Sequence, residues 1–123
     1  MLQKQFPELD LKAINKKYKV APPIHVTNDD SIKSHYDFDQ NIVYVNPNRI
    51  ENYKDFVLSY LHELHHALKT VELGGPKGMR EAYEMDIARY QATHPGREDE
   101  WYAHHPYEKE AEEFAHREVN EWL

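Results

Sequence analysis

The segment His62-Glu63-Leu64-His65-His66 holds the residue types and spacing in this chain best suited to chemistry. It reads as H-E-x-x-H. Residues four apart on a helix stand one turn apart on the same face. The imidazoles of His62 and His66 can therefore turn to one ion and fill two corners of a tetrahedral zinc site. Glu63 is rotated about 100° from His62 around the helix axis. It can stand beside an ion without binding it, where a base acting on a metal-activated water must be. Nine histidines among 123 residues is a high count, and histidine is the commonest metal ligand.

A catalytic zinc site needs a third protein ligand and one open position. Glu108 is the best-placed candidate, two residues past Pro106 in the expected first turn of a final helix. Glu112 follows one turn later, where it can orient a ligand histidine from behind. By charge pattern alone, these acids also fit a solvated helix face that favours the positive end of the helix dipole. A fully closed site, with His104 or His105 as fourth ligand, would abolish water activation. His94, Tyr102, His104, His105, Tyr83 and Tyr90 are candidates to stabilise an oxyanion. His65 falls on a flank of the helix and reads as supporting or exposed. His25, His35 and His116 have no partner at a useful spacing.

Each of these residues needs an element to hold it. Asn52 to Glu72 carries Tyr53, Phe56, Val57, Tyr60, Leu61, Leu64, Leu68 and Val71 at spacings of three and four, a wide apolar stripe on one helix face. His62 and His66 fall about 160° from Leu64, on the face opposite that stripe. Gly74-Gly75-Pro76 ends the helix. Gly78 to Thr93 predicts a further helix, with Met79, Tyr83, Ile87 and Tyr90 on one face, and His94-Pro95-Gly96 breaks it. The last helix is expected from Pro106 to Trp122, burying Ala111, Phe114, Ala115, Val119 and Trp122. Upstream, Pro7 to Lys17 reads as a helix, Val20 to Val26 as an edge strand containing Pro22-Pro23, and His35 to Phe38 and Ile42 to Val45 as strands joined by a turn at Asp39-Gln40-Asn41. The order of helix, three short strands and three helices predicts an α+β domain spanning residues 1–123.

Composition narrows the function classes. Fifteen Lys and Arg against 22 Asp and Glu give a formal net charge of −7, a poor match to nucleic acid or to an anionic membrane surface. An acidic surface favours a basic protein partner instead. The absence of cysteine removes disulfides, thiolate nucleophiles and cysteine-based metal sites. The first residues hold no apolar signal region and no stretch suits a membrane span, so a cytoplasmic protein is expected.

The pair of motifs His62-Glu63-Leu64-His65-His66 and Glu108-Lys109-Glu110-Ala111-Glu112-Glu113-Phe114-Ala115 resembles the ImmA/IrrE family of zinc metallopeptidases. More broadly it is similar to the gluzincin-type zincins. The resemblance covers residues 36 to 118. It implies a minimal zincin-like fold, with a small antiparallel or mixed sheet of three strands packed on the H-E-x-x-H helix and two further C-terminal helices. It implies zinc as cofactor, His62, His66 and Glu108 as ligands, and Glu63 as general base. It also implies a strand edge for an extended substrate, for which Ile42-Val43-Tyr44-Val45-Asn46-Pro47 has the right place. The sequence departs from the family pattern at His65, where glycine is usual, and at Glu112, where Asn or Asp is usual. The implied activity is hydrolysis of a peptide bond in a specific protein partner, such as a phage or mobile-element regulator. The competing expectation is a non-catalytic interaction module that retains zinc for stability or binding. Retention of Glu63 favours the enzyme, because a purely structural site has no use for that carboxylate.

Overall fold

The computed structural model describes residues 11–96 and 105–123. In chain order the described elements are α1 (Leu11–Tyr18), β1 (Ile24–Val26), β2 (Ser34–Asp37), β3 (Ile42–Val45), a 3-10 turn (Pro47–Arg49), α2 (Tyr53–Glu72), α3 (Pro76–Thr93), α4 (Pro106–Glu118) and a closing 3-10 turn (Val119–Trp122). This is the expected α+β order. The part of the first helix expected before Leu11 lies outside the described residues.

The sheet is mixed, in the order β1-β3-β2. β1 runs parallel to β3, with Ile24 opposite Val43, and β2 runs antiparallel to it, with Ser34 opposite Val45. β1 is an edge strand as expected, but it starts only at Ile24. Pro22 and Pro23 have no N–H to donate, although the Pro23 carbonyl still accepts from Val43 N at 2.9 Å. The β2–β3 turn is locked by Asp37, whose Oδ1 accepts from Asp39 N and Gln40 N, and by Asn41 in the left-handed region at φ 58°. Asparagine tolerates that region better than most residues.

The structure corrects one expectation. β3 is not a free edge, because it is paired on both sides. β2 takes up the side of β3 that lies toward Glu63, and β1 the other. The edge that faces the H-E-x-x-H helix belongs to β2.

α2 is the central element. Asn52 caps it by accepting from Asp55 N at 2.9 Å, which satisfies an otherwise unpaired helix N–H. Phe56, Val57, Tyr60, Leu61 and Leu64 are fully buried and form one core with Ile14, Val43, Val45, Phe114 and Ala115. Val71 departs from the expected stripe and is exposed. Ala67 and Thr70 are buried instead. The helix ends through Gly74 and Gly75, both at positive φ, with Gly75 N returning to Thr70 O at 2.8 Å. Gly78 then allows a close approach: a Cβ there would lie 1.8 Å from the Leu73 carbonyl oxygen. α3 buries only Met79 fully, while Tyr83, Ile87 and Tyr90 are half-buried.

α4 lies across α2 and buries Ala111, Phe114 and Ala115. α1 seals the far end. Tyr18 packs edge-on to Phe114 at 5.2 Å and donates to Glu118 at 2.8 Å, and Tyr60 donates to Asn15 at 2.6 Å. No described helix is long and apolar enough to cross a membrane.

Leu64 is fully buried within the motif and its side chain points into the core. Leu64→Ala is expected to cost about 2–5 kcal/mol of stability, measured as a lower urea midpoint with an unchanged slope. A cost below about 1 kcal/mol would show that Leu64 is not a core anchor.

Candidate metal centre

His62, Glu63 and His66 form a group able to hold a metal ion, with one ligand atom of each within 4.8 Å of the others. The helical register explains their convergence, as His62 and His66 are one turn apart on α2. The face opposite Leu64 is not solvent, because α4 covers it. His66 is 4% exposed and the His62 side chain 13%.

α4 brings Glu108 over the two imidazoles. Its Oε2 lies 3.0 Å from His62 Nε2 and its Oε1 2.9 Å from His66 Nε2, while the two Nε2 atoms are 3.3 Å apart. Tetrahedral zinc with bonds of about 2.0–2.1 Å would separate its ligand atoms by about 3.3–3.4 Å. The nitrogen pair already has that spacing. The nitrogen–oxygen distances are those of charge-assisted hydrogen bonds and need open by only a few tenths of an ångström. The donor set therefore fits a divalent zinc ion: two neutral imidazoles and a carboxylate.

The position of Glu108 follows from the start of α4. Pro106 takes the first helical position and His105 caps the helix, its Nδ1 accepting from Tyr107 N at 3.0 Å. Glu108 thus falls in the first turn with its carboxylate above α2. One turn on, Glu112 Oε1 is 2.6 Å from His62 Nδ1. A carboxylate there holds the proton on Nδ1 and leaves the Nε2 lone pair for an ion. His66 has no such support, as its Nδ1 is buried without a hydrogen-bond partner.

Electrostatics point the same way. Burial lowers the basicity of His62, but the hydrogen bond it donates to Glu108 and the charges of Glu63, Glu108 and Glu112 outweigh it and raise its pKa to about 9. In the absence of metal, a proton on His62 supplies the positive charge that this carboxylate cluster favours. His65 behaves oppositely. Burial first, and then the neighbouring His66, push its pKa down to about 4. Its ring packs on Phe114 at 5.1 Å, so it is neither a ligand nor fully exposed.

Glu63 is buried at 5% exposure and lines two clefts, one on each side. Its Oε2 accepts from Ser34 Oγ at 2.6 Å. Ser34 is a contact that sequence reasoning missed. The strand was expected to begin at His35, one residue late, and it is the buried Tyr36 that shows which face Ser34, two residues earlier, shares.

Among the oxyanion candidates, Tyr83 lines a cleft together with Glu63 and His66. Burial, reinforced by the charges of Glu108, Tyr107 and Glu63, raises its pKa, so it keeps its proton. His94 stacks on Tyr90 at 4.1 Å at the end of α3. His105 is taken up in capping α4 and in a contact of 3.3 Å with Asp86, which leaves it outside the ligand set. Tyr102 and His104 lie outside the described residues. Two histidines read as background stand beside the site. His35 lines the same cleft as Tyr83, and His116 Nε2 is 3.6 Å from Glu112 Oε2. His25 packs edge-on to Tyr44 instead.

Comparison with known proteins finds no matching family model, no matching curated protein and no matching solved structure.

Loss of the Glu112 carboxylate frees His62 Nδ1 to change tautomer. Glu112→Ala is expected to weaken zinc binding about 10–100-fold, read by competition with a chromophoric chelator, with the far-ultraviolet circular dichroism unchanged. Equal affinity in the two proteins would remove Glu112 from that role.

Proposed function

We propose that this protein is a zinc-dependent metallopeptidase of zincin type, similar to the ImmA/IrrE family, that hydrolyses a peptide bond in a specific protein partner. The observation that carries the reading is the Glu108 carboxylate, 2.9–3.0 Å from both Nε2 atoms, with Glu63 beside them and tethered by Ser34. His62, His66 and Glu108 are the ligands in this reading. Glu63 could also reach an ion, but its hydrogen bond to Ser34 and its position on both clefts favour the role of base.

A bound zinc ion supplies Lewis acidity, polarising a carbonyl and bringing the acidity of water into the neutral range. The protein's own groups do the rest. Glu108, His62 and His66 would hold the ion, and the two clefts meet at Glu63 beside them. The Glu63 carboxylate takes the proton of the attacking water and delivers it to the leaving amine. Ser34 donates to one carboxylate oxygen, which leaves the other free to accept. Tyr83, which keeps its proton and lines a cleft with Glu63 and His66, is the donor this reading assigns to the developing oxyanion. The half-buried cluster limits the competing hydration of that charge.

Several observations support a catalytic reading over a purely binding one. Glu63 stands beside the two histidines, is tethered by Ser34, and lines two clefts. The acidic chain favours a basic partner.

Glu63→Gln keeps the shape of the side chain and removes the base. The variant is expected to bind one zinc per chain, measured by elemental analysis after gel filtration. It should cleave a proteome-derived peptide library about 100–10,000-fold more slowly than wild type. Equal cleavage by the two proteins would refute the peptidase mechanism.

A further inference from the structure

We infer that the site takes an extended segment running antiparallel to β2, with a large apolar side chain on the residue just before the cleaved bond. This rests on the peptidase reading and adds the substrate class and its direction.

The first observation is the backbone edge. Asn46 N donates to Lys33 O at 2.9 Å, and the register pairs Ser34 with Val45 and Tyr36 with Val43. Antiparallel pairing alternates, so residues 33, 35 and 37 turn their backbone groups to β3. The N–H and C=O groups of Ser34 and Tyr36 therefore face outward. Among the described residues no other strand pairs with that edge. An unpaired edge of this kind is a template for one more strand.

The second observation is that the two clefts beside Glu63 differ in chemistry and sit at opposite ends of β2. One, of about 290 Å³, lies toward the end of β2 and is walled by Tyr36, Phe38, Met79 and Tyr83. The other, of about 380 Å³, lies toward its start, where Lys33, Asp55, Ser59, Glu112 and His116 make a polar wall. Lys33 and Asp55 are paired there at 2.7 Å. Glu63 lines both, so the bond to be cleaved lies between them.

Direction follows from strand chemistry. Antiparallel pairing is slightly more stable per residue than parallel pairing, and more common. A segment antiparallel to β2 enters over Phe38 and Tyr36 and leaves over Ser34 and Lys33. The residue contributing the scissile carbonyl then has its side chain at the apolar cleft, whose volume suits Phe, Leu, Met or Tyr. The residue contributing the amine meets the polar cleft.

The test uses the full-length, zinc-loaded protein and a proteome-derived peptide library, with cleaved bonds read by mass spectrometry. Phe, Leu, Met or Tyr is expected before the cut, favoured over Ala by at least about tenfold. Phe38→Ala removes one wall, whose ring also stacks on Tyr83 at 5.9 Å, and is expected to reduce the ratio of apolar to Ala cleavage severalfold, whatever its effect on the overall rate. Apolar preference after the cut, or none on either side, would overturn the inference and leave the peptidase reading standing. Zinc-loaded Glu63→Gln provides a second measurement by calorimetry, with a fluorescently silent hexapeptide containing a central Phe and its Ala counterpart. Tighter binding of the Phe peptide by E63Q, with no cleavage by wild type, would uphold the apolar subsite and refute the peptidase reading. Equal or absent binding of both peptides, with no cleavage, would overturn both.

Discussion

The packing of α4 across α2 is the constraint on which the centre depends. It buries two imidazoles and a carboxylate in mutual contact, with Glu108 bridging His62 and His66. Burying such groups is costly unless each finds a partner or a cation. Here the partners are one another, and a divalent ion would satisfy all three at once. The surrounding contacts serve that crossing. Phe114 and Ala115 anchor α4 in the core, Tyr18 holds Phe114 and Glu118, and His105 starts the helix so that Glu108 arrives in its first turn.

Glu63 depends on a different neighbour. It is adjacent to His62 in sequence, but its carboxylate is oriented by Ser34 from the sheet. The cluster of His62, His66 and Glu108 thus comes from two helices, while the orientation of the Glu63 carboxylate comes from β2. The same strand carries the open edge and borders both clefts. A shift of β2 by one residue would move Ser34 and Tyr36 to the other face, breaking the tether to Glu63 along with the apolar wall. Strand register and the geometry around Glu63 are therefore a single constraint.

Much of the fold was legible in local patterns. The stripe from Phe56 to Leu64 marked the central helix, Gly74-Gly75 marked its end, and Asp39-Gln40-Asn41 marked the hairpin. Ile42 to Val45 was read to the residue, but its neighbours were not. Which strand is central depends on pairing between distant segments, and that pairing left β2, not β3, with the open edge. Val71 continued the apolar spacing yet ended in solvent, because periodicity records which face is apolar and not how far the covering elements extend.

For the centre, the sequence alone determined what one helix can encode. His62 and His66 share a face and Glu63 stands beside them, because 3.6 residues per turn permit nothing else. Glu108 and Glu112 could be put one turn apart on a later helix by the same arithmetic. Only the tertiary structure decided that this second pair meets the first, with Glu108 on both Nε2 atoms and Glu112 on His62 Nδ1. It also brought in Ser34, Met79 and Tyr83, which belong to a strand and a third helix. The physical reason is that local spacing sets direction within an element, whereas distance between elements is set by how their buried faces pack.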